Sequence, residues 1–212
     1  MASELRKQRD AERRERTRRA LQEAAGKVFA RGGYHDTQVS HIVGEIGVGQ
    51  GTFYRHFDSK RAIAGALFEQ LAESLLAEFT PMSAPLPAGV EAYRDASVAA
   101  AIRATRALRS QRDLALLFLR QGASIDAAFD VQLSAVLDRF AALAQFHLDR
   151  AIAGGFARPC DSEVVSQAIV GMALRQLDLW LVGRLDDRQV EHAAGELVEF
   201  AFRGFGFPGE GE

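Results

Sequence analysis

The chain of 212 residues is 48% hydrophobic and 25% charged, the balance of a folded protein with a sizeable core. Its single cysteine, Cys160, excludes an internal disulfide framework and a cysteine-clustered zinc site. The longest aliphatic and aromatic run, Leu114–Leu119, is far shorter than the ~20 residues of a membrane helix. Residues 1–60 hold 12 basic and 8 acidic side chains, and residues 61–212 hold 14 and 20, so a basic head precedes an acidic body. This asymmetry suits a chain whose head meets phosphate, and it also arises by chance.

The first predicted helix runs from about Arg13 to Ala30. Its apolar residues recur at helical spacing from Leu21 to Phe29, and Gly32-Gly33 ends it. Basic residues crowd the leader and the opposite face: Arg6, Lys7, Arg9, Arg13, Arg14, Arg16, Arg18 and Arg19. They form either a solvated, ion-paired helix start or a basic arm toward phosphate.

Two short helices follow. Thr37 is predicted to be the N-cap of the first, which Gly47 ends. After the turn Gly47-Val48-Gly49, the second presents a polar face, while two phenylalanines four residues apart anchor the other face inward. This size and turn chemistry predict a helix-turn-helix, and Asp58 is predicted to cap the helix after it.

The polar face of this last short helix suits a DNA major groove, which admits one helix. Gln50 and Arg55 can read base edges, because glutamine pairs with adenine and arginine with guanine. Thr52 can bond a base, and Gly51 allows close backbone approach. Three side chains suit phosphate oxygens: Tyr54, His56 and Lys60. The alternatives are a packing or capping role for His56 and a solvent-facing Arg55.

A set of residues with fixed spacing resembles the N-terminal domain of tetracycline-repressor (TetR) family transcriptional regulators. The set is Gly32-Gly33-Tyr34, Thr37, Ile42, Gly47-Val48, Gly51-Thr52-Phe53-Tyr54-Arg55-His56-Phe57 and Ser59-Lys60. The resemblance covers about Arg13 to Leu67. This sequence departs from the family at Gly49, where serine is usual, and at Val43 and Ile46, where alanines are usual.

The resemblance implies an all-α regulator with a three-helix DNA-binding domain (residues 1–60) and a C-terminal ligand-binding and dimerisation domain (residues 61–212). It implies a homodimer that binds a palindromic double-stranded DNA operator and is released by a small-molecule effector. The DNA-binding residues it implies are Thr37, Gln38, Gln50, Gly51, Thr52, Tyr54, Arg55, His56 and Lys60. No cofactor, metal ion or membrane partner is expected.

The remainder of the chain also has helical periodicity. Helices are predicted at Val90–Arg109, Leu114–Gln121 and Ala127–Ala153, with Gly122 and Asp126 in a turn between the last two. Two further helices are predicted, one capped by Asp161 and running through Val182, the other from Asp187 to Phe202. The proline-rich stretch Thr80–Gly89 is the best internal boundary, and the glycine-rich tail from Gly204 is expected to fray.

The helix ending at Val182 is apolar on all sides, which favours burial of one side against a partner subunit. The alternative is a monomeric bundle with a central helix. The expected dimer residues are Val165, Ile169, Met172, Ala173, Gln176, Val190, Ala194, Leu197, Val198 and Ala201. Candidate contacts to an apolar or amphipathic effector are Phe118, Arg120, Phe140, His147, Arg175 and Trp180. His147 is alternatively a core histidine.

Rival functions have little support in the sequence. Neither a glycine-rich phosphate loop nor a metal-binding histidine motif is present, so no enzyme is predicted. Cys160 could be a redox switch or an inert thiol. A helical protein–protein adaptor with a degenerate helix-turn-helix is the main alternative to a DNA-binding regulator. Residues 1–20 are charged and lack an apolar segment, so a cytoplasmic location is expected.

Overall fold

A computed structural model describes residues 2–80 and 89–204, and all regular structure within these ranges is helical, which confirms the all-α fold class. The helices are α1 (Ala2–Gly32), α2 (Val39–Glu45), α3 (Gln50–Tyr54), α4 (Lys60–Ala77), α5 (Val90–Leu108), α6 (Arg112–Ile125), α7 (Ala127–Ala153), α8 (Ser162–Leu181) and α9 (Asp187–Gly204). A short 3-10 turn, Arg109–Gln111, joins α5 to α6. No helix in the described ranges is long and apolar enough to cross a bilayer.

The first three helices pack against the start of α4. Leu21 and Phe29 of α1, Ile42 of α2, Phe53 of α3 and Ile63 of α4 are all fully buried in one hydrophobic core. The same core continues through α4 into α6, α7 and α8. Because apolar packing is unbroken, the predicted division at residue 60 stays a prediction.

The body is built from helices that pack side by side in antiparallel pairs. Helix α5 packs along α9, α7 packs along α8, and α6 lies between α1 and the α7–α8 pair. A smaller apolar cluster forms separately in the body around Tyr93, Leu148, Ala151 and Ala157.

Three of the sequence expectations about caps and turns are wrong. Gln38, not Thr37, caps α2, and its backbone N–H donates to His41 Nδ1 at 3.2 Å. Ser59, not Asp58, caps α4, because its hydroxyl accepts from the Ala62 N–H at 3.0 Å. Gly122 lies inside α6 rather than in a turn, and a Cβ added there would lie 3.3 Å from the Phe129 ring, a tight contact.

The other helix bounds agree closely with the sequence pattern. Helix α7 has the predicted ends, Asp126 and Asp161 cap α7 and α8, and α3 begins after Gly49 as expected. Helix α1 is longer than predicted, because the charged leader continues it back to Ala2. The proline-rich boundary falls largely on residues 81–88, and the tail falls on residues 205–212, which lie outside the described residues.

Candidate nucleic-acid interface and ligand cavity

The turn between α2 and α3 gives α3 its orientation. Gly47 has φ +69°, a conformation that favours glycine, and the Val48 N–H donates back to the Val43 carbonyl at 3.1 Å. Phe53 and Phe57 are buried with ring centroids 5.9 Å apart, so they fix the inner side of α3 against the core. The opposite side of the helix is therefore left facing solvent.

The solvent-facing side of α3 carries the predicted base-reading residues. Gln50, Gly51 and Arg55 are exposed, and a Cβ added to Gly51 would meet no atom within 4 Å. Tyr54 is 54% exposed. Arg55 donates to Thr52 Oγ1 at 3.1 Å, which holds the guanidinium along the helix. The structure thus brings these side chains onto one open surface.

His56 lies at the edge of this surface in a positive environment. Burial, and then the charges of Arg14, Arg55 and Arg18, lower the pKa of His56 below its ordinary value. Arg18 also donates to the His56 carbonyl at 3.0 Å and its guanidinium lies 4.3 Å from the Phe57 ring centroid. The same clustered positive charges would attract a phosphate group.

Thr37 and Lys60 occupy a different environment from the α3 residues. Thr37 is buried and its hydroxyl donates to the Gly33 carbonyl at 2.7 Å. The Lys60 ammonium donates to the carbonyls of Tyr34, His35 and Thr37 at 2.7, 3.2 and 2.7 Å. Burial lowers the pKa of Lys60. Both side chains build the α1–α2 turn, which positions the exposed Gln38, and their phosphate contacts stay a prediction.

Polar contacts that the sequence did not indicate join the α1–α2 turn to α6, and α4 to α7. Gln121 of α6 accepts a hydrogen bond from the Tyr34 N–H at 3.1 Å, and Ser124 contacts His35 Nε2 at 3.2 Å. Arg61 of α4 donates to Gln132 of α7 at 3.0 Å. Only the fold brings these residues together, because they are 71 to 89 positions apart in sequence.

The body holds a partly open apolar cavity of about 260 Å³, lined by residues from α4 to α9. Its walls come from α4, α5, α6, α7, α8 and α9, and two of the predicted ligand contacts, Phe118 and Phe140, line it. Thr105 and Gln176 are the polar residues among the described lining. A compartment of this composition suits an apolar ligand or the apolar part of one.

The other four predicted ligand contacts lie elsewhere. Arg120 and Arg175 are exposed and both bind the Asp178 carboxylate, at 2.5 and 2.8 Å. Trp180 is buried, donates to Asp187 at 2.9 Å and lies under the Arg112 guanidinium. None of these three lines the cavity, and the side chain of each binds a carboxylate instead.

His147 is 8% exposed, and neither ring nitrogen has a hydrogen-bond partner among the described residues. Burial, and then the charge of Arg150, lower its pKa. The Tyr93 hydroxyl donates to the backbone carbonyl of His147 at 2.8 Å, which places the histidine at the smaller cluster rather than in the cavity wall.

The expected dimer residues divide into two groups. Val190 is 3% exposed and packs in the core of the single chain, and its contact with a partner subunit stays a prediction. Four others line the cavity: Ala173, Gln176, Ala194 and Leu197. Sequence reasoning missed two exposed apolar side chains on the same helices, Val164 at 63% and Phe200 at 61%.

Residues 21–67 match the model of the family described as bacterial regulatory proteins, tetR family. Residues 21–67 are therefore a helix-turn-helix region of the TetR family of bacterial transcriptional regulators. The chain is 41% identical over 69 residues to the uncharacterized HTH-type transcriptional regulator YdgC of Bacillus subtilis, covering 29% of this chain and 35% of the relative. The match thus spans about a third of that relative's length.

Solved structures share the whole TetR-family fold at low sequence identity. A TetR-family transcriptional regulator from Syntrophomonas wolfei has a TM-score of 0.78 at 16% identity, covering 92% of this chain and 99% of that one. The transcriptional regulator FadR from Bacillus subtilis, solved in complex with stearoyl-CoA, has a TM-score of 0.73 at 20% identity, covering 88% and 98%. At these identities the likeness shows the fold.

Proposed function

We propose that this chain is a ligand-released repressor that binds a palindromic DNA operator as a homodimer in the cytoplasm. The observation that carries the proposal is the open polar surface of α3, held outward by buried Phe53 and Phe57 within a TetR-family helix-turn-helix. In this proposal residues 1–60 contact DNA and residues 61–212 bind the effector and the partner subunit.

On the DNA side, α3 enters the major groove. Gln50 and Arg55 read base edges, Thr52 bonds a base or contacts a thymine methyl group, and Gly51 allows close approach. Tyr54, Gln38 and His56 contact phosphates, which fix the register of the protein on the duplex. The charges of Arg14 and Arg18 beside His56 strengthen this contact.

On the effector side, the ligand has an apolar part that fills the cavity between α4 and α9. Support comes from the apolar lining, including Phe118 and Phe140, and from FadR, a protein of the same fold solved with stearoyl-CoA. An acyl compound is therefore the first effector class to test.

Release requires that the cavity and the DNA-binding helices be coupled. Helix α6 lines the cavity through Ala115, Phe118 and Leu119, and its C-terminal end contacts the α1–α2 turn through Gln121. Two recognition helices must lie about one helical turn, ~34–36 Å, apart to enter successive major grooves. An effector that favours a different spacing lowers operator affinity by its differential binding to the two states.

The experiment that tests the proposal is selection of genomic fragments by the purified chain at physiological salt, followed by sequencing. We expect a palindromic site to be enriched by wild type and lost in Gln50→Ala/Arg55→Ala, because both base-reading side chains are removed. Arg158→Ala is the matched control, since Arg158 is exposed in the α7–α8 connection.

Equal enrichment by wild type and Gln50→Ala/Arg55→Ala would contradict sequence reading by α3. In that case the adaptor alternative gains support, because an adaptor would be indifferent to both substitutions. Thermal unfolding of each variant checks that the helix-turn-helix is still folded.

A further inference from the structure

A second space lies beside the apolar cavity. It is an open cleft of about 580 Å³, bounded by α1 and α4 on one side and by the turn between α5 and α6 on the other. Its walls carry polar and charged groups. The charged members are four cations and two carboxylates: Arg19, Lys27, Arg109, Arg112, Glu23 and Asp113.

The cleft and the cavity share a wall. Three residues that line the cleft, Leu67, Arg109 and Leu114, are each next in sequence to a residue that lines the cavity. These neighbours are Phe68, Leu108 and Ala115. Leu67, Leu108 and Leu114 are buried, so a layer one side chain thick separates the cleft from the cavity.

The cavity itself is unsuited to a charged group. Thr105 already donates its hydroxyl proton to the Ala101 carbonyl, and Gln176 is the other polar residue of the described lining. An anion held among these apolar side chains would lose part of its hydration without gaining a cation, which is unfavourable. The charged end of an amphipathic ligand must therefore lie outside the cavity.

Two cationic surfaces border the cavity. On the α6–α8 side, Arg120 and Arg175 share the Asp178 carboxylate, so both guanidinium groups are already paired. On the cleft side, Lys27 is exposed and makes no hydrogen bond or ion pair with any residue of the described ranges. A formed cleft with an unpaired ammonium is the better receptor for an anion.

We infer that this cleft binds the anionic head of an amphipathic ligand whose apolar chain occupies the cavity, with Lys27 contacting the head. The inference rests on the ligand-released function proposed above and names the ligand's chemistry. A ligand that spans the cleft and the cavity requires the leucine layer between them to separate. Lys27 belongs to α1, whereas Ser110 and Arg109 belong to the body, so a bound anion bridges the two parts of the molecule.

The first test measures binding of decanoyl-coenzyme A and of decan-1-ol to the full chain by calorimetry. A medium chain is chosen because about 260 Å³ lies below the ~300–1,000 Å³ of ordinary ligand pockets. Lys27→Gln is expected to weaken decanoyl-coenzyme A binding roughly tenfold, by loss of one charge-assisted contact. Binding of decan-1-ol is expected to be unchanged, and Lys27→Arg to retain both affinities.

The second test is steric and uses Gly26 in the cleft wall. A Cβ added there meets no atom within 4 Å, so substitution extends into the cleft without a clash. Gly26→Leu is expected to abolish decanoyl-coenzyme A binding while leaving decan-1-ol binding intact. Gly26→Ala is the matched control, because one methyl group leaves most of the cleft open.

Several results would overturn the inference. If the wild-type chain does not bind decanoyl-coenzyme A, the cleft does not bind the anionic head of such a ligand. The same conclusion follows if Lys27→Gln and Gly26→Leu bind decanoyl-coenzyme A as tightly as wild type does. Loss confined to Arg120→Gln/Arg175→Gln would place the head between α6 and α8 instead. Enrichment of operator DNA is measured on the same proteins, so failure of the regulator proposal is seen independently of these ligand results.

Discussion

Single side chains determine how the DNA-facing surface is supported. The sequence motif groups Thr37 and Lys60 with Tyr54 and His56, because all four have groups that suit phosphate. In the structure the three donors of Lys60 bind carbonyls of the α1–α2 turn, and Thr37 is buried beside it. A motif gives the residue type, whereas the direction of a side chain depends on the helix that carries it.

The buried imidazole of His147 lowers the free energy of unfolding by an amount that depends on pH. Its pKa is lowered in the folded chain, and in the unfolded chain it takes the ordinary value of about 6.5. Between these two values the unfolded chain binds more protons, so stability rises with pH through this window and is lost as pH falls. Two buried nitrogens without partners add a cost that is independent of pH.

His147→Phe removes both costs and is expected to stabilise the protein. We expect a gain of about 1 kcal/mol at pH 8 and a larger gain at pH 5, measured by urea unfolding. His56 also has a lowered pKa, but it is present in both proteins and cancels in the comparison. His192→Gln, at an exposed site on α9, is the control. A gain that is equal at the two pH values would argue against a buried, neutral imidazole.

At the scale of helices, local signals predicted most of the fold. Asp126, Asp161 and Gly49 mark helix starts correctly, because capping and turn chemistry act over three or four residues. Gly122 was predicted in a turn but lies inside α6, because a single glycine does not by itself end a helix. The α3 surface could likewise be predicted from the sequence, whereas the Gln121–Tyr34 contact could not.

The two glycines of α2 and its turn are expected to respond oppositely to alanine. Gly47→Ala forces a side chain into a left-handed conformation and is expected to destabilise the protein by about 1 kcal/mol. Gly44→Ala meets no atom within 4 Å and is expected to stabilise it by up to about 1 kcal/mol through helix propensity. Urea unfolding midpoints measure both. Shifts of the same sign would contradict the turn geometry.

At the scale of the whole molecule, the exposed apolar side chains of α8 and α9 favour a dimer. The single chain buries Val190, whereas Val164 and Phe200 are exposed to solvent. Large apolar side chains exposed together on neighbouring helices are typical of subunit interfaces. The sequence also predicted α8 and α9 as the dimer helices, and this stays a prediction.

Phe200→Glu is expected to convert the proposed homodimer to a monomer, because a carboxylate would have to be buried in the interface. Sedimentation velocity measures the change, and operator affinity is expected to fall with it, since each monomer carries one recognition helix. Val131→Glu on α7 is the matched control, as Val131 is an equally exposed apolar residue. Dissociation by both variants, or by neither, would argue against an interface at α9.

Helix α1 runs without interruption from Ala2 to Gly32, so its charged N-terminal part and the residues that line the cleft belong to one continuous helix. At 1.5 Å per residue, Glu4 lies about 33 Å along the axis from Gly26. A tilt of about 5° centred at the cleft would therefore displace the leader by about 3 Å, comparable to the length of a hydrogen bond. Small rearrangements near Lys27 are in this way magnified at the far end of the helix, where the arginine-rich turns lie.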